Sequence, residues 1–145
     1  MEIYTIGFTQ KSAERFFGIL REAGIKRLVD VRVNNRSQLA GFAKRDDLAY
    51  FLEALCGAEY RHLATLSPTK ELMQAYKKKE MSWGEYERRY TALLEERKAA
   101  EVIDKNLFDM PAVLLCSEPT AAHCHRRLAA EYLQARWGDV AIVHL

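Results

Sequence analysis

The sequence predicts an α/β protein: a single three-layer α/β/α domain over residues 1–145 with a mostly parallel sheet. Three observations carry this reading. Short apolar runs with strand character alternate almost throughout with stretches of helical apolar spacing. The first strand–helix–strand unit favours parallel pairing through a right-handed crossover. A chain of 145 residues suits one domain with a normal hydrophobic core.

Glu2 to Ile6 reads as the first strand, ending at Gly7, where the backbone can turn sharply. Ser12 is placed to cap a helix from Ala13 to Ala23, whose Phe16, Phe17, Ile19 and Leu20 form one apolar stripe. Gly24 ends that helix, and Lys26 to Val31 reads as a second, buried strand. An irregular polar segment follows from Arg32 to Phe42. Asp46 or Asp47 then opens a helix to about Cys56, and Glu59 to Leu63 is a short strand. Two helices are expected at Thr69–Lys79 and Trp83–Ala99, the second capped by Ser82. The last unit is a strand at 112–116, a helix at 121–136 and a strand at 140–144, with Thr120 as the expected cap of the helix.

The bulk numbers limit function mainly by exclusion. A formal charge of +2 is too small to argue for nucleic acid by itself. The one basic run, Lys77-Lys78-Lys79, leads into a helix rich in Glu and Arg, as a solvated face would. No apolar run approaches membrane-spanning length, so no membrane partner is expected. Three cysteines do not suggest a disulfide framework, and Met1 to Gly7 has a strand pattern and not that of a secretory leader. The expectation is a cytoplasmic protein with reduced thiols.

The densest chemistry lies in Leu114 to Arg127, which holds two of the three cysteines and two of the four histidines beside an arginine pair. It falls where a buried strand hands over to a helix, the usual ligand crevice of α/β folds. A second polar group, Asp30-Val31-Arg32, also falls at a strand end. If both strands are central and parallel, the pocket is lined by Asp30, Arg32, Ser37, Cys116, Glu118 and the start of the last helix, with the Gly7 loop beside them. Cys124, His125 and Arg126 are expected in the first turn and a half of that helix. Its dipole there lowers a thiol pKa and attracts anions. Arg32 and Arg126 suit a phosphate or carboxylate. Asn35 offers side-chain hydrogen bonds, and Tyr60 is placed to wall the pocket. Each side chain also has a plain structural role open to it: Cys116 and Cys124 as small core residues, Asp30 with Arg32 as an ion pair, Glu118 as an acceptor at the helix start. Cys56 reads as packing, His123 as solvent-facing, and His62 and His144 as isolated.

Spacing tests specific chemistries. A cysteine phosphatase needs an arginine six positions after its thiolate, and those positions hold Ala122 and Ala130, so that reading fails. Zinc ligation by Cys116, Cys124 and His125 is disfavoured. Adjacent helical residues point about 100° apart, and the seven residues between the cysteines are not a standard knuckle spacing. A Cys116–Cys124 disulfide requires Cα atoms within about 7 Å, which spacing does not decide. No glycine-rich phosphate loop or dinucleotide fingerprint is present, and no cofactor is expected.

Taken together, Thr5-Ile6-Gly7, Asp30-Val31-Arg32, Ser37, Gly41-Phe42, Tyr60, Leu115-Cys116-Ser117-Glu118 and Cys124-His125-Arg126 resemble the family catalogued as domain of unknown function 488. The resemblance implies a compact α/β fold and a polar cleft built from these positions. It implies no reaction. Two departures stand out. Many members read Thr-Ile-Gly-His where this chain has Phe8, and members often carry prolines where this chain has Asn35 and Ala40.

Three functions remain open at this point. The first is a small enzyme acting on a phosphorylated or nucleotide-like substrate, with Cys116 or Cys124 as nucleophile, Asp30 or Glu118 as general acid/base, and Arg32, Ser37, Asn35, Tyr60, His125 and Arg126 holding substrate. The second is a nucleic-acid or nucleotide binding module, using Lys77–Lys79, Arg88, Arg89, Arg126 and Arg127 interleaved with Tyr76, Trp83 and Tyr86. The third is an interaction protein whose polar motif is architectural. Oligomeric state is not legible.

Overall fold

A computed structural model describes residues 1–36, 41–118 and 120–145. Five strands, β1 (Glu2–Gly7), β2 (Arg27–Asp30), β3 (Glu59–His62), β4 (Ala112–Cys116) and β5 (Ala141–His144), form one sheet in the order β3-β2-β4-β1-β5. Among the described residues all four pairings are parallel, as the expected α/β class requires. The helices are α1 (Ala13–Glu22), α2 (Arg45–Cys56), α3 (Lys70–Lys77), α4 (Trp83–Glu96), the single turn α5 (Ala99–Val102) and α6 (His125–Trp137). Among the described residues no helix is long and apolar enough to cross a membrane.

The sheet order explains where the helices lie. The connections from β1 to β2 and from β2 to β3 run one way across the sheet, and those from β3 to β4 and from β4 to β5 run back. With crossovers of one hand, a change of direction is a change of face. The two cores have this composition. Phe16, Phe17 and Leu20 of α1 and Leu48 and Leu52 of α2 pack with Ile6, Leu28, Val113 and Leu115. On the other face Tyr90 and Leu94 of α4 and Leu128, Ala129 and Leu133 of α6 pack with Ile3, Val29, Leu114 and Cys116. Alternate residues of one strand therefore serve opposite cores, as the pleat requires. The direction reverses around β4, which places a crevice above its carboxyl end and those of β1 and β2.

Local chemistry sets the element ends. Ser12, Thr69 and Ser82 each accept a hydrogen bond from the amide three residues on, at 3.2, 3.1 and 3.2 Å. Gly57, at φ 60°, closes α2 in the left-handed conformation. Three expectations are corrected. Lys98 adopts φ 53°, which breaks the helix expected to run from Trp83 to Ala99 into α4 and α5. Asp46 and Asp47 lie inside the first turn of α2, whose cap position is Lys44. The last helix starts at His125 and not at residue 121, so its cap position is Cys124 and not Thr120. Short 3₁₀ turns at Gly41–Ala43, Ala64–Leu66 and Lys105–Phe108 have no counterpart in the sequence reading.

Candidate active site

Cys116 ends β4 and His125 begins α6. Cys124 is extended, at φ −137° and ψ 139°. It is therefore not a helical neighbour of His125, and the 100° argument does not apply to it. The ligating atoms of Cys116, Cys124 and His125 all lie within 4.8 Å of one another, and all three residues are buried.

His125 is oriented from both sides. Its Nε2 stands 2.8 Å from the Val31 carbonyl oxygen. A carbonyl only accepts, so Nε2 carries the proton in the neutral ring and Nδ1 holds the lone pair. Nδ1 faces Cys116 Sγ at 3.3 Å. Burial lowers the His125 pKa and keeps the ring neutral. Burial also opposes ionisation of Cys116. The Cys124 thiol, the Ser117 amide and the Arg126 guanidinium outweigh it and hold the Cys116 pKa below the usual thiol value. Cys124 moves the opposite way, because its contact with Cys116 and its own burial both favour the protonated thiol. The pair thus divides into one thiol biased toward thiolate and one held neutral.

Arg126 ties three segments together. It is 3 % exposed. Its Nη1 donates to the Glu118 carbonyl at 2.6 Å, and its Nε reaches Thr5 Oγ1 at 3.4 Å. Thr5 Oγ1 is in turn 2.6 Å from His144 Nδ1. Burial, aided by Arg126, lowers the His144 pKa and favours the neutral ring beside the threonine hydroxyl. Gly7 lies directly under the turn held by Arg126, and no side chain fits there. The Glu118 side chain itself is exposed.

Asp30 and Arg32 form the second half of the site. The Asp30 carboxylate is fully buried and accepts from the Arg32 amide, Nε and Nη2 at 3.1, 2.9 and 2.8 Å, and from the Tyr60 hydroxyl at 2.5 Å. Tyr60 accepts from Asn35 Nδ2 at 3.0 Å, and burial followed by the Asp30 contact raises its pKa. The Arg32 carbonyl is held by Ser67 Oγ at 3.1 Å and His62 Nε2 at 3.2 Å. The Arg32 guanidinium lies over the Phe8 ring at 5.3 Å, so the aromatic at this position supports a cation. Arg32 Nη1 is buried with no hydrogen-bond partner among the described residues. Ser37 lies outside the described residues.

A cleft of about 400 Å³ opens over these groups, with Arg32, Lys70, Lys77, Cys116, Ser117 and His125 among its walls. Lys70, Met73, Gln74 and Lys77 contribute one face of α3, at the spacing that aligns side chains along a helix. A smaller recess of about 120 Å³ shares Met73, Lys77, Cys116, Ser117 and His125 with it and is walled by Tyr76, Trp83, Tyr86 and His123. A larger, open depression of about 760 Å³ near Lys26, Glu53 and Glu59 lies at the amino edge of β2 and β3, away from this chemistry.

The family model for DUF488, described as a domain of unknown function, matches residues 12–133. The chain belongs to the DUF488 family. No curated protein and no solved structure matches it. The matched stretch of this DUF488 chain contains Asp30, Arg32, Asn35, Tyr60, Cys116, Glu118, Cys124, His125 and Arg126, and begins after Thr5 and Gly7. The cysteine–histidine cluster is also the one group of this kind among the described residues able to hold a metal. Two sulfurs and one imidazole nitrogen suit a soft divalent ion, and a histidine whose other nitrogen donates to a carbonyl is the usual outer support of such a site.

Of the expected site residues that it describes, the structure places Arg32, Cys116 and His125 on the cleft and Cys116, Glu118, Cys124 and His125 on the smaller recess; Asp30, Asn35 and Arg126 line neither and stand behind them, and Tyr60 borders the open depression near Lys26. The sequence reading took His62 and His144 as isolated, and the structure corrects this: His144 bonds Thr5, which braces Arg126, and His62 joins Ser67 in bracing Arg32. Their signal was weak, a lone threonine or histidine in or beside a short strand. Lys77 was named within its basic run, and Lys70, which was not, had a usable signal in its seven-residue spacing from Lys77 on one helix.

Proposed function

We propose that this DUF488 protein is a small thiol-dependent enzyme acting on a phosphorylated or nucleotide-like substrate, with Cys116 as nucleophile and His125 as its base. One observation carries the reading. The Val31 carbonyl fixes the imidazole proton on Nε2, which leaves the basic Nδ1 facing the Cys116 thiol. Cys124 supports the thiolate from its neutral side, and Arg126 adds positive charge. Asp30 is engaged by four donors, so its part is to hold Arg32 for the substrate and not to move protons. The exposed Glu118 is the remaining carboxyl beside the thiol, at the smaller recess, and takes the general acid/base role. Three free cysteines fit a reducing, cytoplasmic setting.

The test is the alkylation rate of each cysteine against pH on the native protein, with and without chelator. Cys116 is expected to label well below the pH at which a free thiol does, and His125→Asn to slow it. Uniform inertness until unfolding would sink the mechanism. Labelling that appears only with chelator would make Cys116 a metal ligand, the second reading that the three clustered atoms support.

A further inference from the structure

We propose that the cleft is a divided site for a nucleoside monophosphate, with the phosphate against Arg32, Lys70 and Lys77 and the base in the recess walled by Tyr76, Trp83, Tyr86 and His123. This deepens the functional reading above and rests on the same cleft.

The two compartments differ in kind. The larger one has three cationic side chains and no carboxylate among the described residues that line it. Arg32 is oriented by Asp30 through Nε and Nη2 and lines this compartment with Lys70 and Lys77. A dianionic phosphate is the ligand class that one arginine and two lysines on a single cleft would hold. The spacing of Lys70 and Lys77 on α3 also has a reason here. That helix buries no residue fully, yet it turns two lysines, one methionine and one glutamine toward the cleft.

The smaller compartment is aromatic. Trp83 is stacked with Tyr86 at 5.3 Å and with His123 at 5.0 Å, and Tyr76 meets both Trp83 and Tyr86 at 5.5 and 5.0 Å. His123 is exposed, so one wall of the recess is free to adjust to a ring. The volume of about 120 Å³ equals that of about four waters, which suits a flat ring and little more. Cys116, Ser117 and His125 border both compartments, so the thiol stands beside the part of the ligand that joins ring to phosphate.

Calorimetric titration of the full chain tests this with inorganic phosphate, a nucleoside, purine and pyrimidine nucleoside 5′-monophosphates, and a short 5′-phosphorylated single strand. At least one monophosphate is expected to bind about ten-fold or more tighter than either phosphate or nucleoside, since base stacking on aromatic side chains supplies a gain of that order. Lys77→Ala should reduce affinity for phosphate and monophosphate alike. His123→Ala, at an exposed position, and Trp83→Phe should weaken the monophosphate and leave phosphate unchanged. A single strand that binds no better than the monophosphate assigns the free nucleotide as the source, and tighter binding assigns a strand end. Monophosphates no tighter than phosphate, or variants at His123 and Trp83 without effect, would overturn the proposal. Setting the titration beside the alkylation rate of Cys116 in the parent chain separates the two readings: nucleotide binding with an inert thiol leaves the site and removes the nucleophile, and a reactive thiol without nucleotide binding does the reverse.

Discussion

A side chain at Gly7 would put its first carbon 1.6 Å from the carbonyl oxygen of Glu118. The same carbon would stand 2.9 Å from Arg126 Nη1. The end of β1 and the turn after β4 are therefore in backbone contact, and the guanidinium that holds the turn leaves no slack. Gly7→Ala must push the Glu118 carbonyl off Arg126. The expected cost is about 2 kcal/mol or more, the upper part of the range for inserting a methyl into a packed site. Denaturant unfolding would measure it, and a loss below about 0.5 kcal/mol would show that the turn can move aside.

Arg126 is expected to control the thiol by charge as well as position. Arg126→Gln removes a cation that favours the Cys116 thiolate and should move the alkylation profile of Cys116 to higher pH. Arg126→Lys keeps the charge but cannot reach Thr5 and the Glu118 carbonyl through a planar fork. It should restore part of the profile with reduced stability. An unchanged profile in Arg126→Gln would leave Cys124 and the Ser117 amide as the groups that support the thiolate.

The buried pair of Asp30 and Arg32 predicts an asymmetric mutational response. Asp30→Ala leaves a guanidinium 2 % exposed without its carboxylate and should cost about 3–5 kcal/mol. Tyr60→Phe removes one hydrogen bond to the same carboxylate and should cost about 1 kcal/mol. Equal losses in the two variants, read by denaturant titration, would contradict the assignment of Asp30 as the anchor of Arg32.

Stability should fall on acidification through the histidine range. His125 and His144 both have pKa values lowered on folding, so the unfolded chain binds more protons than the native one just below the ordinary histidine value of about 6.5. Their contribution is present in full above that pH and is lost as pH falls toward the folded values. His125→Gln should flatten the loss between about pH 7.5 and 5.5, since glutamine does not titrate. A slope identical to that of the parent chain would assign the effect to other groups.

How much of this was legible in the sequence depends on distance along the chain. The strand at 112–116 could be read to the residue, because an uninterrupted apolar run buried on both faces has one interpretation in an alternating α/β chain. The start of α6 was misplaced by four residues. Thr120 is a good cap by type, but Cys124 takes the cap position without any side-chain bond, and its place is fixed by tertiary contact with Cys116. Asp30 and Arg32 could be paired from their spacing of two. The partners that complete them, Tyr60, Ser67 and His62, are more than 25 residues away and arrive through β3 and the turn after it. The orientation of His125 shows the same limit. Nothing local to His125 announces that a carbonyl 94 residues earlier sets its tautomer.

The sheet order has a consequence for how the molecule comes into being. β1 and β2 never touch one another, because β4 lies between them. The first half of the chain thus emerges with two strands whose shared neighbour is made about 80 residues later. Closing such loops precedes the contacts that reward it, so folding is expected to be slow and to finish with β4. Cys116 is the last residue of that inserted strand. Cys116 therefore travels on the piece that locks the sheet, and its cluster with Cys124 and His125 forms only once β4 and α6 are in place.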